Sequence, residues 1–99
     1  MFKVLMSWNI RPGREDAYFE FVVRELGPAL IKLGVRPTDA WYTQYGKGPQ
    51  ILQGGIMEEL EPLKRALASG EWLETKKKLL TFVTDYDQKI IRASGGFQL

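Results

Sequence analysis

Apolar and polar residues alternate along residues 2–8, and this period of two predicts a β-strand with one fully apolar face. From Tyr18 to Leu33 the apolar residues instead recur every three or four positions, which predicts an amphipathic helix. Pro28 lies inside that helix and lacks a backbone N–H donor, so we expect a kink near Arg24. The chain therefore begins with a strand followed by a bent helix.

A β-hairpin is predicted in the middle of the chain. Two runs rich in aromatic and β-branched residues, 40–45 and 50–57, flank a turn that contains Gly and Pro. Because side chains alternate along a strand, Trp41 and Tyr42 point to opposite faces, and we expect both faces to be covered. Gly54-Gly55 in the second strand indicates a bulge or the close approach of another group, either a facing ring from a partner sheet or a ligand.

After the hairpin the apolar residues return to helical spacing. Ser69-Gly70 interrupts this region, so we expect two helices, the second starting at about Glu71. The apolar residues of that second helix are Trp72, Leu79, Leu80 and Val83. Residues 89–93 are predicted to form the last strand. The segment before it, Asp85-Tyr86-Asp87, has two interpretations: a pair of carboxylates for chemistry, or the start of the loop that precedes the strand.

The order strand, helix, strand, strand, helix, strand predicts a single domain over residues 1–99 in the α+β class. This is the ferredoxin-like βαββαβ arrangement, a four-stranded antiparallel sheet with both helices on one face. The other sheet face stays open and carries aromatic side chains whichever face of the hairpin it is. Because monomers seldom expose a large apolar patch, we expect a second copy to cover it in a homodimer.

Composition excludes several classes of partner. The chain of 99 residues has 14 Lys plus Arg against 12 Asp plus Glu, and its basic run Lys76-Lys77-Lys78 predicts a solvated helix face rather than a nucleic-acid-binding stripe. No apolar run approaches the roughly 18 residues of a membrane span, and no signal peptide is evident. The absence of Cys favours the cytoplasm. The scarcity of Asn, His and Cys is typical of a thermophilic source.

The missing residue types also exclude much chemistry. With neither His nor Cys in the sequence, Ser-His-Asp and Cys-His catalysis are excluded, as is zinc or haem ligation through those side chains. Glu58, Glu59 and Glu61 could in principle bind a hard cation, but a row along one helix start does not converge as such a site requires. We therefore expect neither a metal nor a cofactor.

Two short segments resemble a known superfamily. Residues 11–19, Arg-Pro-Gly-Arg-Glu-Asp-Ala-Tyr-Phe, are similar to the strand-to-helix junction of monooxygenase-type dimeric α+β barrel proteins, and Ser69-Gly70-Glu71-Trp72 resembles the step before their last helix. This superfamily includes antibiotic-biosynthesis monooxygenases, haem-degrading monooxygenases, and NIPSNAP-like and stress-responsive barrel proteins. The resemblance implies two sheets packed face to face in a dimer, with a small pocket between sheet and helices. The haem-degrading members use a histidine that this chain lacks.

The site residues of the superfamily do not carry over to single positions of this chain. Cofactor-free monooxygenases of the superfamily use an Asn, a Trp and an Arg or Tyr around an aromatic substrate, and this chain has Trp8, Asn9 and Arg92. Adjacent strand residues face opposite ways, so Trp8 and Asn9 do not both line one pocket without a bulge. The alternative is that Trp8 and Trp41 are simply core residues.

We therefore predict a pocket between sheet and helices with aromatic walls and few polar anchors. Its polar candidates are Arg92, which would meet Asp85 or an anionic ligand, together with Gln53 and Tyr42. The expected wall residues are Trp8, Tyr18, Val22, Trp41 or Tyr42, and Trp72. The predicted function is to bind or convert a small aromatic or lipid-like molecule without metal or haem, and the alternative is a non-catalytic dimeric ligand-binding or scaffold module.

Overall fold

The computed structural model describes residues 1–42 and 49–93, so the predicted hairpin turn and the end of its first strand lie largely outside the described residues. The elements are β1 (Phe2–Ile10), α1 (Glu15–Phe21), a π-helical turn (Val22–Leu26), α2 (Gly27–Lys32), β2 (Arg36–Tyr42), β3 (Ile51–Met57), α3 (Leu60–Ala68), α4 (Gly70–Leu79) and β4 (Val83–Arg92). The predicted order of strands and helical regions is confirmed.

The four described strands form one antiparallel sheet in the order β2-β3-β1-β4. On β1, every second residue from Val4 to Ile10 is buried in the core with the helices, whereas the residues between them are only partly buried. The helices therefore cover one face of the sheet and leave the other open. This confirms the predicted ferredoxin-like α+β fold.

The Gly27-Pro28 step accounts for the irregularity that the sequence predicts near Arg24. A π-helical turn precedes α2, and the Gly27 N–H donates to the carbonyl of Val22, five residues back. This wider turn maintains backbone hydrogen bonding although Pro28 has no N–H donor. In a regular helix the Pro28 ring would also clash with the Arg24 carbonyl. A Cβ at Gly27 would lie 3.3 Å from the Val22 carbonyl oxygen, so glycine relieves contact inside the turn.

Ser69 separates α3 from α4, as predicted. Its hydroxyl donates to the Ala66 carbonyl at 2.7 Å and accepts the Trp72 N–H at 3.2 Å, which makes it the N-cap of α4. The helix ends at Leu79, and Val83 is the first residue of β4. The assignment of Val83 to the helix, and of the strand start to residue 89, is therefore wrong.

Asp85 lies inside β4 and forms a β-bulge there. Its φ is 57°, and the pairing of β4 with β1 shifts by one residue at this point. Its carboxylate accepts a hydrogen bond from the Asn9 side chain at 2.9 Å. The neighbouring Tyr86 lies on the helix side of the sheet, where its ring stacks on that of Trp8 with 5.8 Å between the ring centroids. The interpretation of Asp85-Tyr86-Asp87 as a loop before the strand is therefore wrong.

The two glycines in β3 are crowded by side chains of the same chain. A Cβ at Gly55 would lie 2.6 Å from Val35 Cγ1, and one at Gly54 would lie 2.6 Å from Thr38 Oγ1 and 2.8 Å from Lys3 Cε. The predicted close approach is confirmed, but the approaching groups are these three side chains. These contacts account for the glycines without a partner's ring or a ligand.

Two further observations concern membranes and metals. Across residues 1–42 and 49–93, no helix has both the length and the apolar character needed to cross a bilayer. The same ranges contain no group of three or more His, Cys, Asp or Glu side chains arranged to hold a metal ion. Glu58, one of the carboxylates before α3, instead forms an exposed ion pair with Arg36 at 3.6 Å.

Candidate ligand-binding cavity

A cavity of about 170 Å³ lies between the first helix and the helix-facing side of β2 and β3. Its lining residues are Tyr18, Phe19, Val22, Ala40, Trp41, Tyr42, Ile51 and Gln53, none of which carries a charge. Larger hollows exist, but one of about 420 Å³ is a groove bordered by exposed charged side chains such as Glu25 and Lys78. Because ligand sites are mostly apolar with a few polar groups, the smaller cavity is the candidate site.

The alternation of the two strands builds the cavity floor. Ala40 pairs with Gln53 and Tyr42 pairs with Ile51, so these four residues share the helix-facing side of β2 and β3. The helix wall comes from α1 and from Val22, the first residue of the π turn. Because Ala40 has the smallest side chain of the lining, it leaves the space that a larger residue at that position would fill.

Tyr18 contributes the most enclosed polar atom of the lining. The residue is 2% exposed, and its hydroxyl accepts the indole N–H of Trp8 at 3.0 Å. Burial raises the pKa of the Tyr18 phenol above its ordinary value, and the hydrogen bond from Trp8 opposes that rise in part. The phenol therefore stays protonated and neutral near pH 7.

Tyr42 lies at the mouth of the cavity, where the centroid of its ring is 6.4 Å from the centroid of the Phe19 ring. Its hydroxyl accepts a hydrogen bond from the Gln50 side-chain amide at 3.2 Å. Gln50 is held in turn by two bonds to the end of β1, because its Oε1 accepts the Ile10 N–H and its own N–H donates to Asn9 Oδ1, both at 2.8 Å. The end of β1 thus positions Tyr42 through Gln50.

Gln53 is the third polar residue of the lining and lies on the inner strand β3. Its side chain is half-buried, and it makes no side-chain hydrogen bond within the described part of the chain. An amide can both donate and accept, so Gln53 offers a ligand either kind of bond.

Three of the predicted site residues line the cavity, namely Tyr18, Trp41 and Tyr42. Trp41 pairs with Leu52, which places its side chain on the open sheet face, and it is 63% exposed. Trp8 is fully buried behind Tyr18 rather than in the lining. The predicted Val22 and Gln53 also belong to the lining.

The other two predicted residues lie elsewhere. Trp72 is in the core as part of α4 and does not border the cavity. Arg92 is exposed at the end of β4, which is an edge strand. Asp85, its expected partner, accepts from Asn9 instead, so the predicted Arg92–Asp85 pair is not formed.

The sequence interpretation missed Phe19, Ala40 and Ile51 as lining residues and Gln50 as the support of Tyr42. Periodicity would predict Phe19, Ala40 and Ile51 as lining residues once the helix-facing side of the hairpin is known. Gln50 has no such signal, because its role depends on the β1 end that the sheet brings beside it.

Comparison with known proteins supports the fold. No family model matches the chain, and no curated protein matches it. A NIPSNAP-domain protein from Burkholderia xenovorans superposes with a TM-score of 0.73 at 10% identity, covering 99% of both chains. A NIPSNAP family protein from Agrobacterium tumefaciens gives a TM-score of 0.74 at 15% identity, over 95% of this chain and 93% of that one.

A third neighbour comes from Deinococcus radiodurans and is named as a candidate antibiotic biosynthesis monooxygenase. It superposes with a TM-score of 0.72 at 13% identity, over 100% of this chain and 98% of that one. At these identities the likeness concerns the fold alone. It confirms the predicted structural resemblance to NIPSNAP-like and monooxygenase-like α+β proteins.

Proposed function

We propose that this protein binds a small aromatic molecule in the cavity between α1 and the β2–β3 side of the sheet. The observation that carries the proposal is a mostly apolar cavity of about 170 Å³ whose described lining residues carry no charge and include three polar side chains. Apolar cavities of roughly 150 Å³ hold a benzene-sized molecule. The volume therefore favours one aromatic ring over a long lipid chain.

Binding is better supported than conversion. A general base works best when its pKa lies near the operating pH, and burial raises the pKa of Tyr18 away from that range. The amide of Gln53 does not titrate, and the described lining contains no Asp, Glu, Lys, Arg, His or Cys. Monooxygenase-like conversion, which the name of the Deinococcus radiodurans neighbour suggests for that protein, would have to rely on the reactivity of the ligand itself.

Filling the cavity tests the proposal. Ala40→Phe places a ring in the space above Gln53, and we expect it to weaken the binding of ethylbenzene at least about tenfold, since the ligand and the new side chain compete for one volume. Ligand-observed NMR titration measures the affinity. Ala68→Phe, at an exposed position in α3, is the matched control and should bind like the wild type. Equal affinities in all three proteins would contradict the proposal.

We also propose that two copies associate through the open sheet face. Trp41, Leu52 and Ile91 are exposed there, and covering such side chains is the usual reason for association. A dimer without ligand binding would correspond to the alternative scaffold function. Location in the cytoplasm remains a prediction from the cysteine-free composition.

A further inference from the structure

The hydroxyl of Tyr18 is obliged to accept a hydrogen bond from the protein. Its partner is the indole N–H of Trp8 at 3.0 Å, and an indole nitrogen can only donate. The single hydrogen of the phenol must therefore point to another acceptor. No protein acceptor for it occurs within residues 1–42 and 49–93. Because this hydroxyl contacts Trp8, which does not line the cavity, we assign no ligand donor to Tyr18.

The hydroxyl of Tyr42 must also accept a hydrogen bond from the protein. The reason is a chain of two hydrogen bonds that runs from the Ile10 N–H through the Gln50 side chain to Tyr42. The Ile10 N–H can only donate, so the atom of Gln50 that it contacts at 2.8 Å is the carbonyl oxygen. The other end of the amide, Nε2, must then face Tyr42 and donate to it at 3.2 Å. The Gln50 backbone N–H donates to Asn9 Oδ1 at 2.8 Å, which holds the group in place.

The phenol hydrogen of Tyr42 is therefore available to a ligand in a small cavity whose other walls are mainly apolar. A ligand that offers an acceptor oxygen satisfies this donor, whereas a hydrocarbon of the same shape displaces water and leaves the donor without a partner. We infer that the cavity selects single-ring compounds bearing a carbonyl-type acceptor, such as aryl ketones and aldehydes. This inference rests on the proposed function and specifies its ligand class.

A pair of ligands matched in shape tests the selectivity. Acetophenone carries a carbonyl oxygen where ethylbenzene has a methylene group, so the ratio of their dissociation constants isolates the acceptor. One net hydrogen bond corresponds to about fivefold in affinity, and we expect acetophenone to bind the wild type at least that much more tightly. Tyr42→Phe should lower the ratio. Tyr86→Phe is the control, because that hydroxyl already donates to Gln88 Oε1 at 2.6 Å and does not line the cavity.

A nearly isosteric change reverses the polarity of the Tyr42 hydroxyl. Gln50→Glu retains an oxygen for the Ile10 N–H but presents an acceptor to Tyr42, which then donates its hydrogen to the protein. The ligand loses that donor, so the acetophenone preference should fall to the value of Tyr42→Phe while ethylbenzene affinity stays unchanged. A role of Gln50 in folding alone would not shift this ratio. If Gln50→Glu does not fold, Tyr42→Phe carries the test.

The outcomes separate the two proposals. If the wild type binds ethylbenzene and acetophenone equally, the acceptor inference is overturned and the proposed function stands. If it binds neither, both are overturned. A preference that survives unchanged in Tyr42→Phe and Gln50→Glu would also overturn the inference, because the donor would then not be Tyr42.

Discussion

Trp8 contacts one buried and one half-buried tyrosine. Its indole N–H donates to Tyr18 on one side, and its ring stacks on Tyr86 on the other. Burial raises the pKa of Tyr86, and the negative charge of Asp87 raises it further. Burial also raises the pKa of Tyr18, in part against the bond from Trp8. Both phenols are therefore neutral in the folded protein at pH values where a free tyrosine ionises.

These shifts predict a loss of stability in alkali. Above about pH 10 the tyrosines of the unfolded chain release protons that the folded chain retains, so the unfolded state binds fewer protons and the free energy of unfolding falls as pH rises. Each such tyrosine contributes a slope of up to about 1.4 kcal/mol per pH unit, and neither contributes a slope below pH 9. Urea unfolding between pH 8 and about pH 11.5 measures it.

Substitution assigns the slope to particular tyrosines. Tyr86→Phe should flatten the fall in unfolding free energy above pH 10, and Tyr18→Phe should do so too. Tyr42→Phe serves as the control for removing a phenol at a half-exposed position. If the unfolding free energy falls equally steeply above pH 10 in the wild type, in Tyr18→Phe and in Tyr86→Phe, then other groups cause the fall.

Most elements of this chain follow from periodicity, and the exceptions have local causes. The alternation in β1 and the apolar stripe of the first helix are regular, so the sequence predicts both. In β4 the bulge at Asp85 places Val83 and Tyr86 on the same face although they are three positions apart. Because a spacing of three is typical of a helix, the sequence pattern does not indicate where the strand starts. A bulge depends on pairing with β1, so the local pattern does not reveal it.

The glycines of β3 give a prediction at the level of one element. A Cβ at Gly55 would come within 2.6 Å of the buried Val35 side chain, so we expect Gly55→Ala to lower the free energy of unfolding by about 1–3 kcal/mol through overpacking. Shortening the opposing side chain should relieve the clash, so the loss in Gly55→Ala with Val35→Ala should be smaller than the sum of the single losses. Chemical denaturation of the four proteins measures both.

A glycine with open surroundings is the control for that prediction. A Cβ at Gly70, the first residue of α4, would meet nothing within 4 Å, so Gly70→Ala should be neutral or stabilising by up to about 1 kcal/mol. If Gly55→Ala and Gly70→Ala change stability equally, crowding by Val35 is not the reason for glycine in β3.

At the scale of the whole molecule, the strand order decides which predicted site residues come together. The order β2-β3-β1-β4 brings Tyr42 and Gln53 under the first helix and leaves Arg92 on the far edge strand. The fold was predictable from element order, and so was the position of the cavity, through the resemblance. Its lining was predictable only in part, because nothing in the sequence shows which side of the hairpin meets the helices.

The open sheet face combines apolar and charged side chains in rows across the strands. One row contains Trp41, Leu52, Ser7 and Asp87, and another contains Arg36, Ile56, Lys3 and Ile91. The apolar positions are concentrated on β2 and β3, and the acidic position lies on the opposite edge. In the proposed dimer Trp41 and Leu52 would gain burial, which favours a second copy as the cover of this face.

Our last prediction is that the protein in solution has about twice the 11.4 kDa mass of one chain, and that Leu52→Glu reduces it to the single-chain mass. Leu52 lies on the open face beside Trp41, so a carboxylate there would be buried without a partner in the dimer, at a cost of several kcal/mol. Size-exclusion chromatography with light scattering measures the mass. Leu73→Glu, at an exposed position in α4, should leave the dimer intact, whereas a wild-type monomer, or a dimer that tolerates Leu52→Glu, would mean that the open face is not the interface.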